Sequence, residues 1–286
     1  MPTERTALIT GASSGFGLLT TVALGRRGWR VLATMRDLAR REKLESAAQA
    51  ACVLDRIEFH ALDVTNAAQI AALAATIASH PSPLHALINN AGFAMAGFAE
   101  EVSDAESRLQ FETNFFGAAA VTRAFLPQFR RQGAGHIVMI SSISGRSGFP
   151  GVGSYSASKF ALEGWSETLR LELKPLGIQV VLVEPGSFET DIWTRNAQIS
   201  SRTQDALSDA QSPNAARIAK WRSHIETGKP RANPQQVADG IAAILGNPHP
   251  KLRYVFGRNA KMAVLLRRLL PWSVFERILI KASGVA

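Results

Sequence analysis

The sequence runs to 286 residues, with 46% hydrophobic and 19% charged side chains and a formal net charge of +9, enough apolar material for one large α/β domain with a substantial core. Cys52 is the single cysteine, which excludes an intramolecular disulfide and points to a reducing compartment, the cytoplasm. No run reaches the roughly 18 apolar residues of a spanning helix, and the opening "MPTERTALIT" lacks the apolar h-region of a secretory signal.

Taken in chain order, short β-branched apolar runs alternate with helix-length amphipathic ones. "TALIT" (6–10), "WRVLAT" (29–34), "RIEFHAL" (56–62) and "LHALIN" (84–89) read as strands, followed by "HIVMIS" (136–141), "IQVVLVE" (178–184) and "LRYVFG" (252–257). Several are nearly continuous apolar stretches, the pattern of parallel strands covered on both faces. Between them, Asn66 with Gln69 and Ser103 with Glu106 have capping-box spacing, and Asn233 before Pro234 reads as an N-cap and first-turn proline. The alternation predicts a Rossmann-type, doubly wound parallel sheet of about seven strands in a single domain over 1–286. The polar segment at about 187–232 breaks the rhythm. It is expected to hold no strand and to serve as a substrate loop, or else as a decorated surface loop.

"LITGASSGFGLLT" follows the first strand and opens a helix, with Gly11, Gly15 and Gly17 spaced G-x-x-x-G-x-G. Glycines there let a pyrophosphate approach the backbone, and free N–H groups at the helix start face the anion. By itself the motif is weak, because glycine-rich strand-to-helix turns are common. At the end of the second strand, "VLATMRDLARR" puts Thr34 and Arg36 where an NAD-selective site usually has a carboxylate. Arg36, helped by Ser14, suits a ribose 2′-phosphate and so NADP(H). Asp37 beside it argues the other way, and a solvated arginine at a helix start is the plainer alternative.

Tyr155 and Lys159 lie one turn apart on one helix face in "YSASK". A free phenol, with a pKa near ~10, exchanges protons poorly at neutral pH. A neighbouring ammonium is expected to favour the phenolate and make Tyr155 an acid or base. Ser142, thirteen residues earlier, could donate a hydrogen bond to a substrate oxygen as charge develops there. Most isolated Tyr-x-x-x-Lys pairs are merely an exposed helix face.

The chain also carries "TGASSGFG" (10–17), "LDVT" (62–65), "NNAG" (89–92), "TNFFG" (113–117) and "EPGSFET" (184–190), in the order and spacing that resemble the short-chain dehydrogenase/reductase family along roughly residues 4 to 190. The resemblance implies an NADP(H)-dependent oxidoreductase interconverting a carbonyl and an alcohol, with Tyr155 as proton donor. It implies that Lys159 also binds the nicotinamide ribose, and that Asn114 holds a water linking Lys159 to solvent. Gly11, Ser13, Ser14, Gly15, Phe16 and Gly17 would cradle the pyrophosphate. Asp63 and Val64 would contact the adenine, and Asn90, Ala91 and Gly92 would line the adenosine path. Pro185, Gly186 and Thr190 would fix the carboxamide. A homodimer or homotetramer is the usual assembly of relatives.

"VLATMRDL" and the extended C-terminus resemble the branch containing 17β-hydroxysteroid and retinol dehydrogenases, which implies a steroid, retinoid or long-chain carbonyl. Phe93, Met95, Phe149, Phe188, Ile192 and Trp193 are candidates for an apolar rim, with the first, third, fourth and last taken as substrate-binding. A 3-oxoacyl thioester reductase is the alternative enzyme, and a non-catalytic NADP(H)-sensing protein the alternative of another class.

His60, His80, His85, His136, His224 and His249 show no metal-ligand spacing. The basic residues form neither a zinc finger nor an aromatic-interleaved repeat, so nucleic acid is not an expected partner. At about 258–286 the chain ends in a basic amphipathic extension. Leu265, Leu266, Leu269 and Leu270 precede Pro271, and Val274, Phe275, Ile278 and Leu279 follow in a second helix that Ser273 and Glu276 could cap. This tail is read as packing across the substrate mouth or onto a second subunit, in preference to lying on a membrane.

Overall fold

The computed structural model describes residues 5–79, 82–190, 192, 197–208, 212, 214–227 and 232–283. In chain order the first half contains β1 (Thr6–Ile9), α1 (Gly15–Gly25), β2 (Arg30–Met35), α2 (Glu42–Ala50), β3 (Ile57–Ala61), α3 (Ala67–Ala78) and β4 (Leu84–Asn89). Then come β5 (Ala94–Ala96), α4 (Asp104–Phe111), a π-helical turn (Glu112–Gly117), α5 (Ala118–Gln132), β6 (Gly135–Ile140) and α6 (Gly153–Leu173). The remainder holds β7 (Ile178–Pro185), β8 (Ala197–Ile199), α7 (Ser201–Ser208), α8 (Ala215–Thr227), α9 (Gln235–Ile244), β9 (Arg253–Phe256), α10 (Arg258–Leu269) and α11 (Trp272–Ser283).

Seven strands form one parallel sheet in the order β3-β2-β1-β4-β6-β7-β9. Successive side chains leave a strand on opposite faces, and the core divides accordingly. Ala7, Ile9, Val31, Ala33, Val181 and Val183 pack with α1, α2 and α9 through Leu24, Leu44 and Ile241. Leu8, Leu32, Ile137, Met139, Val180 and Leu182 pack with α3, α5 and α6 through Leu73, Phe125 and Leu169. Both faces are therefore covered, which is why these strands read as unbroken apolar runs. The strand order reverses direction between β1 and β4, and the crevice above their carboxyl ends is where open α/β sheets bind ligands.

The caps expected at Ser103 and Asn66 form. Ser103 and Glu106 make the reciprocal capping box of α4, and the Asn66 side chain accepts from Gln69 N. Two others are displaced. α9 begins one residue later than expected, with Pro234 at the cap position, although Asn233 Oδ1 still accepts from Gln235 N at 2.9 Å. α11 starts at Trp272, with Pro271 carbonyl accepting from Phe275 N, so Ser273 sits inside the first turn.

The expectation of no strand in 187–232 is wrong. β8 pairs in parallel with β5 as a second, two-stranded sheet, and α7 and α8 follow it. Three-residue strands carry no readable periodicity, and only the tertiary pairing of Ala94–Ala96 with Ala197–Ile199 creates them.

Candidate active site

The turn from β1 into α1 is shaped by its glycines. Gly11 and Gly15 adopt left-handed φ values of 67° and 54°, a region closed to most side chains. A Cβ on Gly17 would collide with the Gly11 carbonyl and come within 2.5 Å of Asn90 Nδ2. That amide is the brace of the turn, donating to Thr10 O and Gly11 O at 2.9 Å each. Thr10 Oγ1 in return accepts from Asn90 N and Ala91 N at 3.0 Å. Ser14, at the cap position of α1, makes no side-chain cap bond to the helix, and a helix start of this kind suits an anion.

A cavity of about 900 Å³ opens over this turn and along the carboxyl edge of the sheet. Its walls include Gly11, Ser13, Ser14, Gly15 and Phe16 from the turn, and Asp63, Val64, Asn90, Ala91 and Gly92 from the ends of β3 and β4. Pro185, the last residue of β7, and Gly186 and Thr190 beyond it line the same cavity. Gly17 braces the turn from below and does not line the cavity. Asp63 Oδ1 accepts from Thr65 N and Thr65 Oγ1 at 2.9 and 2.8 Å, which fixes the loop it sits in.

At the end of β2, Arg36 and Arg40 both reach the cavity. Thr34 does not, because it is buried with its hydroxyl donating to Ile9 O. Asp37 lines the cavity but its Oδ1 accepts from Ala39 N, so that carboxylate caps the short turn that follows. Arg40 carries no signal of its own in "VLATMRDLARR".

Ser142, Tyr155 and Lys159 meet on the same cavity wall. Ser142 leaves the end of β6 and its Oγ accepts from Ser144 N at 3.1 Å, which frees its own hydrogen for the phenol. Lys159 Nζ donates to Ile140 O at 2.8 Å and stands 5.7 Å from the centroid of the Tyr155 ring. The sequence points to the ammonium beside the phenol but not to burial, which acts on the phenol in the opposite direction. Burial pushes Tyr155 up to about 12, against the hydrogen bond from Ser142 that favours the anion. Burial pulls Lys159 down to about 8, and the Glu163 carboxylate opposes that pull.

Asn114 lies in the π-helical turn and is buried. Its Oδ1 accepts from Phe93 N at 3.1 Å, and its Nδ2 donates to Phe93 O at 3.0 Å and to Ser158 Oγ at 3.3 Å. It therefore fixes the chain at Phe93 and lies behind the cavity wall. Gln110, unmarked in the sequence, does the same from the next turn, donating to Phe93 O and accepting from Met95 N. π-helical turns of this kind cluster at functional sites, but no sequence signal announces one.

Of the apolar candidates, Phe93, Phe149, Phe188 and Ile192 line the cavity, while Met95 is buried away from it. Phe188 packs edge-on against Phe16, 5.7 Å between centroids, and so belongs to the glycine-turn side. Trp193 lies outside the described residues. Trp221 on α8 takes a place in the wall that sequence reasoning missed, packed against Phe98 and the backbone of Gly151. Ala282 and Ser283, at the end of α11, complete the mouth. No group of three or more His, Cys, Asp or Glu could hold a metal among the described residues.

Residues 5–200 match the short chain dehydrogenase family. The chain is 42% identical over 280 residues to the uncharacterized oxidoreductase YusZ of Bacillus subtilis (strain 168), covering 97% of this chain and 98% of that one. It is 36% identical over 256 residues to retinol dehydrogenase 8 of Homo sapiens, covering 87% and 80%. Among solved structures it resembles a short chain dehydrogenase from Burkholderia cenocepacia J2315 in complex with NADP, at 25% identity and TM-score 0.74, covering 97% of this chain and 98% of that one.

Proposed function

The chain belongs to the short-chain dehydrogenase/reductase family and is an oxidoreductase of that family, and from this premise we propose that it interconverts a carbonyl and an alcohol with NADP(H), using Tyr155 as proton donor and acceptor. One observation carries the reading: the glycine turn, two arginines at the end of β2 and the Ser142–Tyr155–Lys159 cluster all face one cavity of about 900 Å³.

A dinucleotide fits the residues present. The uncapped start of α1 and the glycine turn suit a pyrophosphate. Arg36 and Arg40 suit a 2′-phosphate, while the Asp37 carboxylate is occupied with Ala39 N. The neighbouring Burkholderia cenocepacia structure contains NADP, which supports the same assignment. When bound, the cofactor supplies or accepts the hydride.

The chain's own groups handle the oxygen. At neutral pH a phenol held near 12 is protonated, so Tyr155 gives its proton to a carbonyl oxygen as alkoxide character develops. The Ser142 hydroxyl would turn its one hydrogen from the phenol to that same oxygen. Lys159, when protonated, stabilises the phenolate left behind and passes a proton back to it. Asn114 holds Phe93 in the wall, and the family resemblance implies that it would also hold a water linking Lys159 to solvent to complete the relay. The reverse sequence oxidises an alcohol.

The apolar wall of Phe93, Phe149, Ile192 and Trp221 favours a lipophilic substrate of the steroid, retinoid or long-chain class, and the similarity to retinol dehydrogenase 8 agrees. The intact Ser142, Tyr155 and Lys159 argue against a purely sensing role. The chain is read as one domain and as a homo-oligomer, for which exposed Phe116 and Phe160 offer a face. Following NADPH consumption with a steroid ketone, retinal and an acetoacetyl thioester tests the reading. Turnover of the first two is expected. Preference for the thioester would replace the lipophilic substrate with a 3-oxoacyl one, and no turnover with any carbonyl would remove the proposal.

A further inference from the structure

We propose that the α10–α11 hairpin is a docking surface for an anionic membrane, placed at the entrance of the substrate cavity. Met262, Leu265 and Leu269 are 54%, 48% and 66% exposed. Their spacing of i, i+3 and i+7 puts them in one stripe along α10, and within α10 only Ala260 is buried. Lys261 and Arg268 run along one side of this stripe, Arg258 stands at its head, and the helix holds no acidic residue. An apolar stripe bordered by cations is what a headgroup layer accommodates, the apolar side chains entering the acyl boundary and the cations meeting phosphates.

Trp272 is also exposed, and the Arg267 guanidinium lies 5.1 Å from its ring centroid and 5.7 Å from that of Phe275. This stacking ties the two helices together at the elbow while Phe275 anchors α11 in the protein. No helix among the described residues is long and apolar enough to cross a membrane, and each arm of the hairpin has 12 residues, so the element would lie in the interface.

Charge selects the occupant. A second copy seated on this stripe by two-fold symmetry would bring Arg258, Lys261 and Arg268 against the same cations, a repulsive arrangement, whereas an anionic bilayer complements them. The far end of α11 supplies Ala282 and Ser283 to the cavity mouth. A hairpin lying on a bilayer thus sets that mouth beside the lipid phase, a route for an apolar substrate. This last clause rests on the reading of the cavity given above, and membrane binding does not.

The test is co-sedimentation of the full chain with phosphatidylcholine vesicles with and without phosphatidylglycerol. Binding is expected only with the anionic vesicles and should weaken as salt rises. Leu265→Gln with Leu269→Gln, and separately Lys261→Glu with Arg268→Glu, should each weaken binding at least tenfold without changing the oligomeric state or melting temperature. Failure of the unaltered chain to bind anionic vesicles would overturn the proposal. So would variants that alter the oligomeric state and leave sedimentation unchanged, or tighter binding to a duplex oligonucleotide than to the vesicles. A chain that sediments but turns over no carbonyl would sink the enzymatic reading and leave the docking surface standing.

Discussion

Lys159 and Glu163 stand one turn apart on α6, both buried, the lysine lining the cavity and the glutamate behind it. The lysine is the last charge on the catalytic side, and the glutamate is the first member of a buried ionic cluster. Arg253 Nε reaches Glu163 Oε2 and Glu184 Oε1 at 3.0 Å each. Arg146 Nη1 lies 3.2 Å from Glu184 Oε1, and the other end of Arg253 pairs with Glu167. The cluster thus links α6 to β7, β9 and the turn after β6.

This arrangement makes Glu163 a positioning residue that acts through Lys159. Its charge is what opposes the lowering of the ammonium by burial. Glu163→Gln removes that support, so Lys159 loses its proton at lower pH, and the alkaline limb of the kcat–pH profile should shift to lower pH. Glu163→Asp should restore part of the profile. Arg253, Glu184, Arg146 and Glu167 remain in both variants, so a purely structural effect would lower kcat without moving the limb.

Arg253 balances two buried carboxylates at once. Burial pushes Glu163 up to about 7, with Glu184 adding to the rise and Arg253 opposing it, and burial raises Glu184 as well. Arg253→Met leaves both carboxylates with Arg146 as the remaining cation of the cluster and should cost about 3–5 kcal/mol, roughly 6–20 °C in Tm for a chain of this size. A carboxyl raised in the folded state stabilises the fold while protonated, and that stability is lost as pH rises through its folded value. The deficit of the variant should therefore be larger at pH 8 than at pH 6 in thermal melts.

Cofactor choice is assigned to Arg36 with Arg40. Arg36→Asp should raise KM for NADPH by at least tenfold and leave KM for NADH unchanged or lower, in steady-state assays with the two cofactors side by side. An equal rise for both would return Arg36 to the solvated surface.

The inner strands β1, β2, β4, β6 and β7 are legible in the sequence because they are covered on both faces and so are almost wholly apolar, whereas the edge strands β3 and β9 are only partly buried. The glycine turn and the Tyr155–Lys159 pair are legible because backbone shape and proton transfer demand particular residue types at fixed spacing. What escapes is set by tertiary context. Asn114 and Gln110 look like polar helix residues, and only the fold shows both bound to the backbone around Phe93. Lys159 with Glu163 has the spacing of an exposed ion pair, and only the fold shows that both are buried. The β5–β8 pairing joins segments about a hundred residues apart, and no local pattern could announce it.

The role of Tyr155 is tested most directly by Tyr155→Phe, with NADPH binding followed by fluorescence and turnover by NADPH consumption on the best carbonyl substrate. Removing the phenolic proton should lower kcat by about 10²–10⁴-fold, while NADPH affinity stays within about threefold, because the glycine turn and the arginines are untouched. A variant that keeps more than a tenth of the original kcat would show that another group delivers the proton.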